Sequence, residues 1–181
     1  MKCLCFSDSH NSTRAMRRAI SMHQDTDVIF FLGDGLSDIE EIRRDYPQIA
    51  FFAVRGNCDL RSTLMGNDVP KTDSMRLLGK NIVFTHGDLY GAKYGTEELK
   101  KLARELGADI VLFGHTHSPY SSYIPAAEEK MAGQECPAEK AFYLFNPGSI
   151  SDRGSFSPPS YGIIILTESE PLFSHGSIKI Y

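Results

Sequence analysis

The chain has 181 residues, 41% of them hydrophobic and 23% charged, which suits one domain spanning residues 1–181 with a core large enough to fold without staples. Its formal net charge of −4 gives no general attraction to a nucleic-acid backbone, yet leaves a phosphorylated substrate open, because bound dications invert the local field. No apolar run is long enough to cross a bilayer, Met1–Phe6 is too short for a secretory signal, and the four cysteines lack disulfide or zinc-finger spacing, so the cytoplasm is the expected compartment.

Lys2–Ser7 reads as a strand, with Cys3 and Cys5 alternating around Leu4 so that both pack on one face as small apolar side chains. Asn11 or Ser12 then caps a helix whose buried stripe is Met16, Ala19, Ile20 and His23. Val28–Leu32 is a second buried strand. Ser37 followed by Glu40 resembles a capping box opening a helix that must stop near Pro47, and Ile49–Val54 is a third strand. Arg55–Lys71 turns polar and irregular. Met75–Leu78 and Asn81–Thr85 flank Gly79-Lys80 as a hairpin. Thr96 starts a helix with Leu99, Leu102, Ala103 and Leu106 on one face, and Gly107 stops it. Ile110–Phe113, Phe142–Phe145 and Tyr161–Leu166 are strands, Pro125–Lys140 is a surface loop, and Leu172–Tyr181 adds edge strands. Early β-α-β alternation followed by strand-rich sequence predicts a mixed α/β domain.

Five apolar runs end in polar clusters: Asp8-Ser-His10, Gly33-Asp34, Gly56-Asn57-Cys58-Asp59, His86-Gly87 and Gly114-His115-Thr-His117. Sites in α/β sheets gather beyond the carboxyl ends of strands, where all five clusters would sit. Four of the six histidines lie in them. Imidazole with carboxylate suits borderline divalent ions, and no thiolates are spaced for a structural zinc site. Each cluster alone has a plain explanation: Asp34 between two glycines is a tight turn, Asn57 stabilises a turn, and His86 is a satisfied core histidine. His115 and His117 face one side of an extended segment and are the firmest ligand candidates. Five such clusters in one order outweigh the plain explanations. The glycines agree, since backbone comes close to a site where no Cβ intervenes.

The order Asp-x-His, Gly-Asp, Gly-Asn-x-Asp, His-Gly, Gly-His-x-His resembles the calcineurin-like metallophosphoesterases over most of the chain. Val54–Asp59, Phe113–His117 and Asn146–Ser149 are similar to the small YfcE-type phosphodiesterase branch. The resemblance implies two packed mixed β-sheets flanked by helices, a four-layer sandwich. It implies two divalent ions, manganese first, with iron, cobalt, nickel and zinc suiting the same ligands. Asp8, His10 and His117 would hold one ion, Asn57, His86 and His115 the other, with Asp34 bridging. Asp34 and Asn57 would also be catalytic, Asn57 touching a phosphoryl oxygen. Such a pair clamps the attacking and leaving oxygens and lowers the pKa of a shared water from about 15.7 to about 7.

Many members of the superfamily carry histidine after Gly-Asn, where it protonates the leaving group; here Cys58 stands there, as in the YfcE-type branch. A thiol of reference pKa about 8.5 is a weak donor, so phosphodiesters, or esters with good leaving groups, are expected over alkyl monoesters. The alternatives are a non-catalytic scaffold of the same fold and a phosphomonoesterase. The substrate would be a small phosphoester, with no stable nucleic-acid binding and no membrane association, while edge strands near the carboxyl terminus leave room for a homo-oligomer. His23 and His175 are expected to be structural, Cys136 incidental, and Asn146–Ser149 a turn bracing the site. Arg55, Arg61 and Arg153 receive no role, and Asp59 stands open between a cap of the polar segment after it and a part in the site.

Overall fold

A computed structural model describes residues 1–59, 63–64, 67–126, 130–131, 134–135, 140–151 and 158–179. In chain order the elements are β1 (Lys2–Phe6), α1 (Thr13–Met22), β2 (Val28–Phe31), α2 (Leu36–Asp45), β3 (Ala50–Ala53), β4 (Thr63–Leu64), β5 (Asn67–Asp68), β6 (Thr72–Leu77) and β7 (Lys80–Thr85). There follow a 3-10 turn at Asp88–Tyr90, α3 (Glu97–Glu105), β8 (Ile110–Phe113), β9 (Pro119–Ile124), β10 (Lys130–Met131), β11 (Gln134–Glu135), β12 (Phe142–Pro147), β13 (Ser160–Ile165) and β14 (Leu172–Ser177).

Two five-stranded mixed sheets form the frame, in the orders β14-β13-β1-β2-β3 and β6-β7-β8-β12-β9. In the first, β1, β2 and β3 run parallel, and β13 and β14 add antiparallel. In the second, β7, β8 and β12 run parallel, with β6 and β9 antiparallel on the outside. Strand alternation sorts the apolar side chains into three layers. Leu4, Phe6, Ile29 and Phe31 face α1 and α2, meeting Met16, Ala19, Ile20, Ile39 and Ile42. Cys3, Cys5, Val28 and Phe30 point the other way, against Ile82, Phe84, Ile110, Leu112 and Phe145 between the sheets. Val83, Val111, Phe113 and Leu144 face Leu99, Leu102 and Ala103 of α3. The result is the expected helix–sheet–sheet–helix sandwich, with Cys3 and Cys5 buried as small apolar groups. Among the described residues no helix is long and apolar enough to cross a membrane.

Several local expectations shift. The capping box at Ser37 does not form: α2 begins at Leu36 with Gly35 as its cap residue, and no side chain of that cap bonds the helix. Ser12 precedes α1 without a side-chain cap either. The β6–β7 turn is Leu78-Gly79 rather than Gly79-Lys80, with both residues at positive φ (47° and 76°), the twist a two-residue hairpin needs. Strand β9 lies in a stretch that gave no strand signal. Pro119-Tyr-Ser-Ser-Tyr-Ile124 is largely exposed, and an edge strand takes its stability from pairing with β12 more than from apolar alternation. The loop expected over Pro125–Lys140 contains the β10–β11 ladder and otherwise falls mainly outside the described residues, as do Cys136, Arg61 and Arg153.

Candidate metal centre

The parallel strands of both sheets deliver their carboxyl ends to one edge of the sandwich. Asp8 follows β1, Gly33-Asp34 follows β2, Gly56-Asn57 follows β3, His86 follows β7, and Gly114-His115 follows β8. Backbone hydrogen bonds stitch these loops together: Asp8 N–H to the Gly33 carbonyl (2.9 Å), His10 N–H to Asp34 (3.2 Å), Gly114 N–H to His86 (2.9 Å) and Ile150 N–H to Ser7 (3.0 Å).

The backbone is bent hard at these positions. Asp8 (φ 54°), His10 (43°), Asp34 (60°), His115 (68°) and His117 (59°) all occupy the left-handed region. A side chain there costs on the order of 1–3 kcal/mol, and such strain concentrates at functional sites. Packing leaves no room for a Cβ at several of the glycines, Gly33, Gly56 and Gly114 among them. One on Gly56 would stand 2.0 Å from Asp34 Oδ1, and one on Gly114 would stand 1.9 Å from Ser7 Oγ.

All seven ligand candidates converge. His86 is fully buried, and its Nδ1 donates to the Leu32 carbonyl at 2.7 Å, so in the neutral ring Nε2 presents a lone pair. Facing Nε2 are Asn57 Oδ1 at 3.1 Å, His115 Nδ1 at 3.1 Å and Asp34 Oδ2 at 3.4 Å. Asn57 keeps its oxygen turned inward because its Nδ2 donates to Cys58 Sγ (3.2 Å). Alongside, Asp8 Oδ1 is buried without a well-directed hydrogen bond, 3.1 Å from His117 Nε2 and 4.0 Å from His86 Nε2. The His10 and His117 rings lie 5.4 Å apart. Among the described residues, Asp8, His10 and His117 form one group able to hold a cation, and Asp8, Asp34 and His86 another, each with donor atoms within 4.8 Å of one another. Asp8 is the carboxylate common to both groups. Acceptors meeting acceptors around a buried, orphaned carboxylate oxygen is a donor set that fits divalent ions bound by imidazole, carboxylate and amide oxygen.

The electrostatics agree. Burial opposes charging His86, but the Asp34 contact and the negative charges of Asp8 and Asp34 prevail and raise its pKa. Burial likewise opposes ionising Asp34, yet His86 and the Cys58 N–H (2.7 Å to Oδ1) hold it well below the usual carboxylate range. The close Asp8 carboxylate raises His117 against burial; burial, then the charges of His86 and Lys93, lower His115. Burial and then the Asp34 carboxylate push the Cys58 thiol up to about 11.

Asn146–Ser149 braces the cluster as expected. Asn146 Nδ2 donates to the Gly114 carbonyl (2.8 Å) and to Thr116 Oγ1 (3.1 Å), while Ser149 Oγ donates to the Asp8 carbonyl (2.9 Å). His23 bonds the Tyr161 hydroxyl and His175 the Asn146 carbonyl, both as packing residues. Arg55, just past β3, gives its backbone N–H to Pro70. Sequence reasoning passed over Asp38, a buried carboxylate that accepts from Ser9 Oγ (2.6 Å) and the Asn11 N–H (2.8 Å), and so ties the His10 loop to α2. The available signal was its place four residues before Ile42, on the buried face of the helix. Beside the cluster lies a pocket of about 330 Å³ walled in part by His10, Asn11, Leu36, Ser37 and Cys58.

Two stacked mixed sheets that bring His, Asp and Asn side chains together at their shared carboxyl edge, with Asp8, Asp34 and His86 buried, define a candidate metal-site protein of the phosphoesterase class. The calcineurin-like phosphoesterase superfamily domain matches residues 1–169, and the chain belongs to that superfamily. It is 30% identical to the probable metallophosphoesterase YsnB of Bacillus subtilis (strain 168), over 92% of this chain and 85% of that protein. It is also 30% identical to the phosphodiesterase YfcE of Escherichia coli (strain K12), over 91% of this chain and 87% of that one. A solved structure of a predicted phosphoesterase from Streptococcus pneumoniae TIGR4 superposes with a TM-score of 0.68 at 25% identity, covering 97% of this chain and 88% of that one.

Proposed function

We propose that the chain is a dinuclear-metal phosphodiesterase acting on a small phosphodiester, with Asp8, His10 and His117 holding one divalent ion, Asn57, His86 and His115 the other, and Asp34 bridging. The observation that carries this reading is the meeting of Asn57 Oδ1, His115 Nδ1 and Asp34 Oδ2 on the lone pair of His86 Nε2, beside the orphaned Asp8 Oδ1. Asp34 enters the proposal through the 3.4 Å approach of its Oδ2 to His86 Nε2 and its place in one group with Asp8 and His86. Bound ions would supply Lewis acidity and an activated water. The protein's own part is to orient and exclude. The Leu32 carbonyl sets the His86 tautomer, Cys58 sets the Asn57 amide, and Asn57 would contact a phosphoryl oxygen. The pocket walled by Asn11, Leu36 and Ser37 would receive an ester substituent. Position 58 offers no imidazole to protonate a leaving group, which favours diesters with stable leaving anions. Manganese is the first ion of the proposal. The cytoplasm is its compartment, consistent with the free thiols of Cys3, Cys5 and Cys58.

The test is hydrolysis of an aryl phosphodiester by metal-stripped protein with and without manganese, alongside a simple alkyl monoester. Manganese-dependent diester turnover exceeding monoester turnover is expected. Equal monoester turnover would remove the diester preference. No turnover with manganese, iron, cobalt, nickel or zinc would transfer the reading to a non-catalytic scaffold.

A further inference from the structure

Asp59 closes the Gly56-Asn57-Cys58-Asp59 segment, and its carboxylate receives four backbone N–H groups. Oδ2 accepts from Asp34 (2.8 Å) and Gly56 (2.8 Å), and Oδ1 accepts from Gly35 (2.8 Å) and Leu36 (2.9 Å). These donors come from two loops. Asp34, Gly35 and Leu36 follow β2 and lead into α2, while Gly56 follows β3 and precedes Asn57. The helix end that would otherwise offer free N–H groups to an anion is thus occupied by a side chain of the protein. The same four bonds hold Asp34 in its left-handed conformation (φ 60°) and set the Gly56 backbone against its carboxylate, where a Cβ would stand 2.0 Å from Oδ1. The Cys58 N–H then closes onto Asp34 Oδ1 at 2.7 Å.

We infer that Asp59 is a positioning residue for the metal pair: its four-fold carboxylate clamp sets where Asp34 and Asn57 stand relative to each other before any ion arrives. This rests on the dinuclear reading above. An ionised carboxylate only accepts, through two oxygens, so each of its oxygens serves two donors. Asparagine has the same shape but replaces one oxygen with an NH2, which would point its hydrogens at two N–H groups. The Asp59→Asn change therefore loses two of the four bonds and adds a repulsion, with no change in volume.

The experiment compares wild-type and Asp59→Asn protein by manganese titration calorimetry, by steady-state hydrolysis of the aryl diester, and by amide hydrogen exchange of the metal-free wild type. Manganese affinity is expected to fall about 10–100-fold, the range seen when outer partners of ligands are removed. The rate constant kcat should drop more than KM rises, with partial recovery at saturating manganese. In the metal-free wild type the Asp34, Gly35, Leu36 and Gly56 amides should exchange as slowly as those of the core strands. A merely structural role would lower the melting temperature and leave manganese affinity of the folded variant unchanged; that result overturns the inference. Should Asp59→Asn fail to fold, the wild-type exchange decides: fast exchange at those four amides overturns the preformed clamp, and slow exchange upholds it. Wild-type protein that binds manganese without hydrolysing the diester overturns the phosphodiesterase reading alone, while unchanged affinity in the variant overturns the role of Asp59 alone.

Discussion

Asp34 is held against burial by three kinds of contact: the His86 imidazole, the Cys58 N–H and, through its backbone, the Asp59 clamp. Truncation to alanine removes one carboxylate of the Asp8–Asp34–His86 group and leaves the Cys58 N–H without its acceptor. Asp34→Ala is expected to cut diester turnover by more than the ~10–100-fold that outer partners cost and to abolish binding of the second manganese ion, as read by calorimetry. Substantial residual turnover would remove the bridging assignment. Position 58 is the complementary case. Its thiol sits exposed beside Asn57, pushed up to about 11 first by its partial burial and then by Asp34, and a thiol donates weakly in any event. Cys58→His places an imidazole there and should raise alkyl monoester turnover relative to diester turnover. If neither rate increases, proton donation at this position does not limit departure of the leaving group.

Among the elements, the layer between the sheets does most to fix the site, because the ligand loops of β1, β2, β7 and β8 inherit the strand positions. Leu112 on β8 is fully buried in that layer, two residues before Gly114. Leu112→Ala should destabilise the fold by ~2–5 kcal/mol through lost burial and the cavity left behind, measured as a lowered denaturant midpoint. With the remaining sheet intact, metal-dependent activity per folded molecule should change far less. Several elements were readable in the chain because their apolar spacing is governed by burial: Val28–Phe31 as a continuous run, Met16–Ala19–Ile20 and Leu99–Leu102–Ala103 as helical stripes. β9 was not readable. Tyr120, Ser121 and Tyr123 are exposed there, and the strand exists because β12 offers it an edge. The start of α2 was misread for a related reason: the Gly35 and Leu36 N–H groups find their acceptor in Asp59, distant in sequence, so the helix begins before Ser37.

For the molecule as a whole, a preformed cluster that gathers lone pairs before any ion binds predicts strong coupling between metal and stability. An ion that binds only the folded chain adds ~2.7 kcal/mol at a hundredfold excess over Kd. In a protein of this size each kcal/mol shifts the melting temperature by roughly 2–4 °C. Manganese should therefore raise the melting temperature of metal-stripped protein in a concentration-dependent way, and a chelator should reverse it. No shift would mean that the lone pairs around His86 are not closed by an ion in the folded state.

The candidate ligand types and their order were determined by the sequence itself: Asp8, His10, Asp34, Asn57, His86, His115 and His117 lie in clusters that each follow an apolar run, and a strand end is a local consequence of that run stopping. Tertiary structure alone decided how those ends meet. Asp8 stands common to both ligand groups, the Leu32 carbonyl selects the His86 tautomer across 54 positions of sequence, and the carboxylates of Asp38 and Asp59 each tie one ligand loop to α2. These are hydrogen bonds between segments far apart in the chain. No periodicity encodes them, because a buried carboxylate must take whichever N–H groups the packed backbone brings within reach.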